Sequence, residues 1–199
     1  MLFRSAGHNW QPFFLQGTKT LAYELWEDLK FNAPDNVVIP TGAGSNILGC
    51  DIGFSELLRR GEIPSLPRLF AAQPMNCAPL HASFRAGSDD LVPVEARPTI
   101  AEGASIAKPV RAREVLAALR RSGGSTVAVS EAEIEKALFE LSRIGLYAEP
   151  TSALAAAAFT RLLEYGIIRP TETTVVVLTG SGLKTTRRVG ELMGALPAG

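Results

Sequence analysis

Thr41, Gly42, Ala43, Gly44, Ser45 and Asn46 follow the apolar run Val37, Val38, Ile39 and Pro40, and precede an amphipathic stretch. Two glycines let a backbone turn tightly and approach a ligand closely. Successive N–H groups then converge on an anion at the positive end of the following helix. The loop holds no lysine, which argues against an NTP-binding P-loop. It also lacks the spacing of a dinucleotide fingerprint. The chemistry it suits is a small phosphate held by backbone and hydroxyl groups, although tight strand-to-helix turns use glycine in the same way. A second Gly-rich turn, Thr179, Gly180, Ser181, Gly182, Leu183 and Lys184, follows the apolar run at 174–178. It would present a hydroxyl, from Thr179 or Ser181, to a polar ring atom.

Other chemistry-bearing residues are sparse. His8 and His81 are the only imidazoles, which argues against a zinc site. Cys50 and Cys77 make no disulfide framework and read as reduced packing residues. Glu149, ahead of Pro150, has two readings, a carboxylate near the cleft and a helix-entry carboxylate favoured by the helix dipole. Arg120, Arg121, Arg187 and Arg188 read as solvated faces.

The elements that must position the two loops alternate in type. Helical spacing predicts helices over 18–31, 46–60, 77–84, 111–121, 151–165 and 185–193. The second of these should turn Ile47, Leu48, Ile52, Leu57 and Leu58 inward. Ser130 with Glu133 forms a capping box that opens a further helix. Apolar runs predict strands at 37–39, 68–73, 126–129 and 174–178, and residues 85–98 read as a long surface loop. Apolar rather than alternating strands indicate an α/β fold, an open, mostly parallel sheet with helices on both faces. In such a sheet ligands bind beyond the carboxyl ends of the strands, where both Gly-rich loops lie. The chain's 199 residues allow one sizeable domain. Apolar residues are 46%, which excludes disorder, and acidic and basic residues balance at 20 each. No bulk charge points to nucleic acid or to an anionic membrane, and no apolar run is long enough to span one. The start is not a signal peptide, so a cytoplasmic protein is expected.

Taken together, the motifs are recognisable. The chain resembles threonine synthase and its relatives among the fold-type II pyridoxal-phosphate enzymes. The matching pieces are residues 15–24 (LQGTKTLAYE), 40–46 (PTGAGSN), 61–64 (GEIP) with 66–69 (LPRL), 149–153 (EPTSA) and 178–184 (LTGSGLK), in the family's order over nearly the whole chain. Gln16 departs from the Glu usual before Gly-Thr-Lys-Thr.

The resemblance implies roles for particular residues. Thr41, Gly42, Ala43, Gly44, Ser45 and Asn46 would form the phosphate cup of pyridoxal phosphate. Thr179 would hydrogen-bond the pyridine nitrogen, and Glu102 and Gly103 would pass beside the ring. It also implies an absence: none of the five lysines, Lys19, Lys30, Lys108, Lys136 and Lys184, occupies the family's Schiff-base position. Residues 1–199 would then be a single domain, the C-terminal part of the large domain, without its N-terminal strands and the small domain. The implied function is a fragment or subunit of a lyase that turns O-phosphohomoserine and water into threonine and phosphate, inactive alone. The alternatives are a non-catalytic phosphate- or pyridoxal-phosphate-binding module and another eliminating or replacing enzyme such as a dehydratase. The expected partners are a small phosphate ligand, a missing N-terminal segment or separate chain, and a second copy of this chain.

Overall fold

The computed structural model describes residues 10–11, 13–192 and 194. His8 and Met193 therefore lie outside the described residues. Four strands form one sheet: β1 (Asn36–Pro40), β2 (Arg68–Pro74), β3 (Ser125–Val129) and β4 (Thr174–Val176). All neighbours run parallel, in the order β3-β2-β1-β4. The chain moves outward from β1 to β2 and β3, then returns to the other side of β1 for β4. The strand order thus reverses between β1 and β4, which is where open parallel sheets bind ligands.

Alternation along the strands divides two cores. Val37, Ile39, Leu69 and Ala71 face α3 (Ser45–Arg59) and α5 (Ala112–Arg121), with Ala22 of α2 (Thr20–Asp28) behind them. Val38, Phe70, Ala72, Val127 and Val129 face α6 (Glu131–Arg143) and α7 (Pro150–Glu164). Every residue of β1 is buried, so its β-branched run serves both faces. Buried Asn36 fixes the amino-terminal ends of the sheet. Its amide donates to Thr174 Oγ1 at 3.0 Å, and its oxygen accepts from Arg68 Nε at 2.8 Å.

Several expectations needed correction. The helix expected over 18–31 is two pieces, α1 (Phe14–Thr18) and α2, with Lys19 between them. Glu56 draws Lys19 and Tyr23 onto α3, and the two pieces pack there. Along α3, Ile47, Leu48 and Leu57 are buried, but Ile52 is half-buried and Leu58 exposed, because only one stripe meets the sheet. The helix expected over 77–84 is a 3-10 turn, Met75–Cys77, followed by α4 (Pro79–Arg85), with Pro79 setting the break. The strand expected over 174–178 ends at Val176 and is half-buried, since it pairs on one side only. The last helix, α8, runs Thr186–Leu192 after a 3-10 turn at Gly182–Thr185. The capping box on α6 is present in both directions. Arg120 and Arg121 are not free solvated groups. Arg121 pairs with Asp51 of α3, and Arg120 holds Asp89 and the Ser88 carbonyl, fastening the start of the surface loop.

Candidate functional site

The loop after β1 is built from the strand outward. Pro40 has no N–H, and Thr41 keeps the last ladder contact, donating from its N–H to the Ala72 carbonyl at 2.8 Å. Its hydroxyl turns back to the Ile39 carbonyl at 2.8 Å, so Thr41 is almost wholly buried. The chain then passes under residues 103–106. A Cβ on Gly42 would stand 2.8 Å from the Gly103 carbonyl oxygen, so only glycine fits. Gly44 caps α3 with φ +87°, a left-handed conformation, and a side chain there would also press into Val115. The first α3 bond to this turn is Leu48 N–H to Gly44 carbonyl, at 3.0 Å. Among the described residues the N–H groups of Ser45, Asn46 and Ile47 have no acceptor, and Gly44 contributes no side-chain cap. These are the orphan donors of a helix start, the point where the positive end of the helix lies.

A cavity of about 370 Å3 covers that point. Thr41, Gly42, Ala43, Gly44, Ser45 and Asn46 line it, together with Gly103, Ile106, Glu149, Thr151 and Thr179. Both Gly-rich loops therefore meet here, because β1 and β4 are neighbours. The Thr179 side chain is exposed to the cavity, with Ser152 Oγ as a distant neighbour at 3.5 Å. Ser152 itself ties down the second loop: it accepts from Gly180 N–H at 2.9 Å and reaches the Gly180 carbonyl at 3.1 Å. Gly103 is fixed by its N–H to Thr151 Oγ1 at 3.2 Å. Glu102 does not line this cavity. It lines a smaller neighbour of about 140 Å3 that shares Gly103, Glu149 and Thr151 with it.

Sequence reasoning missed three contributors. Ile106 and Thr151 are ordinary residue types whose position only the fold reveals. Gln73 is fully buried and donates to the Thr41 carbonyl at 3.2 Å while accepting from His81 N–H at 3.0 Å. A Gln inside an apolar strand was the available signal, because a buried amide needs partners. Glu149 sits at the N-cap of α7 without a side-chain cap and lines the cavity, which is the near-cleft position of its two readings.

Burial disfavours the thiolate at both cysteines. Burial, with the nearby Asp51 charge, pushes Cys50 up to about 12. Burial also raises Cys77, against a hydrogen bond from Ser105. None of the described lysines lines the cavity. Lys19 is tied to Glu56 on the far face of α3, and Lys30, Lys108, Lys136 and Lys184 are exposed. No group of three or more metal-ligating side chains occurs among the described residues, and no described helix is long and apolar enough to cross a membrane.

The arrangement fits a phosphorylated cofactor: free amides at a helix start, a glycine cradle that a Cβ would fill, and an exposed hydroxyl across from it. Comparison with known proteins points the same way. The family profile described as "Pyridoxal-phosphate dependent enzyme" matches residues 3–180. The threonine synthase of Methanocaldococcus jannaschii is 38% identical over 174 residues, covering 87% of this chain and 43% of that protein. That of Methanosarcina acetivorans is 35% identical, covering 89% and 44%. Among solved structures, a fungal L-serine ammonia-lyase from Rhizomucor miehei superposes with a TM-score of 0.75 at 23% identity, over 92% of this chain and 57% of that one. Threonine synthase from Escherichia coli gives 0.71 at 18%, over 94% and 42%. The chain spans under half the length of the threonine synthases it matches in sequence.

Proposed function

The chain belongs to the pyridoxal-phosphate dependent enzyme family, and on that premise we propose that it carries the cofactor-holding part of a threonine synthase-like lyase. The lyase would convert O-phosphohomoserine and water into threonine and phosphate. The observation that carries the proposal is the meeting of both Gly-rich loops in one cavity at the strand-order reversal. When bound, pyridoxal phosphate supplies the electron sink. The N–H groups of Ser45, Asn46 and Ile47 hold its phosphate, with the Ser45 hydroxyl and Asn46 amide beside them. Gly42 and Gly44 keep that cup open, and Thr41 anchors it to the sheet. The Thr179 hydroxyl meets the pyridine nitrogen as a neutral partner, which moderates the sink more than a carboxylate would. Gly103, with Glu102 outside it, borders the ring.

In this reading residues 1–199 are one unit, the C-terminal part of the large domain. The lysine that the family uses to anchor the cofactor comes from a preceding segment or a separate chain. The support is that no described lysine lines the cavity. A Lys needs a desolvated pocket to become nucleophilic at neutral pH, and the exposed ones here have none. The same observation favours a second reading, a non-catalytic module that holds the phosphate of a vitamer.

Titration with pyridoxal phosphate, followed by amide shifts, borohydride reduction and mass spectrometry, tests both. The expected result is a response at Gly44, Ser45 and Asn46, scattered lysine labelling, and no phosphate release from O-phosphohomoserine. Silence of those amides at millimolar ligand would remove the cup. Stoichiometric labelling of one lysine, with phosphate release that its Ala variant loses, would make this chain a self-sufficient enzyme. Restoration of phosphate release by a lysine-bearing segment would select the lyase over the module.

A further inference from the structure

A cavity of about 590 Å3, larger than the one between the Gly-rich loops, lies along the outer edge of the sheet. Four consecutive residues of β3, from Ser125 to Ala128, line it. Successive side chains of a strand point to opposite faces, so a cavity that meets all four opens onto the strand's edge. One wall is Ala78 with the α4 stripe His81, Ala82 and Arg85. The other is the end of α7 with Ile167 beyond it. An open edge invites an added strand, but this one is blocked. The Arg161 guanidinium donates to the Ala128 carbonyl, where an incoming strand would place its own N–H, and Glu133 holds Arg161 there at 3.4 Å.

What remains is a small-molecule volume, within the usual size of such sites. Its body is apolar: Val127, Leu162 and Ile167, with the Tyr165 ring under Arg161. Val127 and Leu162 are the buried floor, and Ile167 and Tyr165 are the exposed apolar rim. Its mouth carries two opposite charges, Arg85 and Glu95. Among the described residues neither has an ion-pair or hydrogen-bond partner, although both line the same cavity. Arg85 presents a planar fork suited to a carboxylate. Glu95 suits an ammonium group. Arg161 is occupied, and His81 is committed to Thr126 at 3.1 Å, so neither adds a second free anion site.

We propose that the cavity at the β3 edge binds a free α-amino acid with an apolar side chain, its carboxylate on Arg85, its ammonium on Glu95, and its side chain against Val127, Leu162 and Ile167. The site is separate from the cavity between the Gly-rich loops: the two share no lining residue, although α7 borders both and Gln73 bonds the Thr41 carbonyl and the His81 N–H.

L-leucine titrated into the full chain, followed by calorimetry and amide shifts, tests this. Saturable millimolar binding is expected, with shifts at His81, Thr126 and Ala128. Leucinamide lacks the carboxylate, 4-methylpentanoate lacks the ammonium, and glycine lacks the side chain; each should bind at least about tenfold more weakly. Arg85→Gln and Glu95→Gln should each cost about the same factor. Both residues are exposed, so the variants should keep the wild-type melting temperature. Lack of saturation at tens of millimolar leucine would overturn the proposal. So would equal affinity for leucine and leucinamide, unchanged affinity in the folded variants, or shifts confined to residues 44–47.

Discussion

The two cavities differ in what they are made of. The one at the ends of β1 and β4 is walled largely by backbone: glycines, free amides and a few short hydroxyls. The one along β3 is larger and walled by side chains from α4, β3 and α7, with Arg85, Glu95 and Arg161 the long ones that carry charge. Size therefore does not mark the place where a phosphate would bind. Backbone donors are fixed by the fold and have no rotamer freedom to lose, so a small cup can hold an anion tightly. A side-chain cavity depends on where each guanidinium and carboxylate comes to rest. It gains adaptability and loses pre-organisation. One buried residue, Gln73, touches the structure of both.

The comparison breaks most severely at Gly44. Gly44→Ala places an L-residue in the left-handed region, at about 1–2 kcal/mol. It also forces a methyl against buried Val115, at about 1–3 kcal/mol more. A total loss of about 2–5 kcal/mol in urea unfolding is expected, with loss of the amide response to phosphate at Ser45 and Asn46. The β3-edge cavity should keep its shifts with leucine in whatever fraction remains folded. Gly44→Ala with unchanged phosphate response would show that the cup is not built by backbone geometry.

Gln73→Leu should be next in size. It leaves the Thr41 carbonyl and the His81 N–H without their buried partner, which costs about 1–3 kcal/mol. Hydrogen exchange should quicken at His81, whose N–H loses its acceptor, and the Thr41 carbonyl carbon should shift, on both sides of the sheet end. If only one of them responds, the two cavities are structurally independent.

The smallest effect separates the cavities by pH. Burial lowers the pKa of His81 below its ordinary value, the charges of Arg85 and Arg161 lower it further, and hydrogen bonding to Thr126 opposes them. Its folded pKa lies below its unfolded one, so neutral His81 contributes stability above about pH 6.5. That stability is lost as pH falls through the folded value. Stability should fall on acidification below pH 6.5, before the carboxylates titrate, and His81→Gln should flatten that part of the profile. Amide positions at Gly44 and Ser45 should stay put over the same range. Movement of those amides in step with the His81 ring would mean that the backbone cup titrates with the side-chain wall.

Legibility followed the same division. The parallel α/β architecture, the Ser130–Glu133 capping box and both Gly-rich loops could be read from residue order, because each rests on local chemistry: β-branched runs, caps and glycine positions. The break at Lys19 could not, since it depends on Glu56 reaching back from α3. The short β4 could not either, because an apolar run does not say that its strand pairs on one side only.

By itself, then, the sequence determined that residues 41–46 and 179–184 are turns at strand ends, and that one could cradle an anion. Only the tertiary structure decided that the two turns face each other, because that follows from β4 returning beside β1. It alone placed Ile106 and Thr151 in their cavity, and it alone brought Arg85, Glu95 and Arg161 around β3. The physical reason is range. Turn chemistry acts between neighbours in the chain, whereas a side-chain cavity is assembled from residues that only the packing of helices against the sheet makes adjacent.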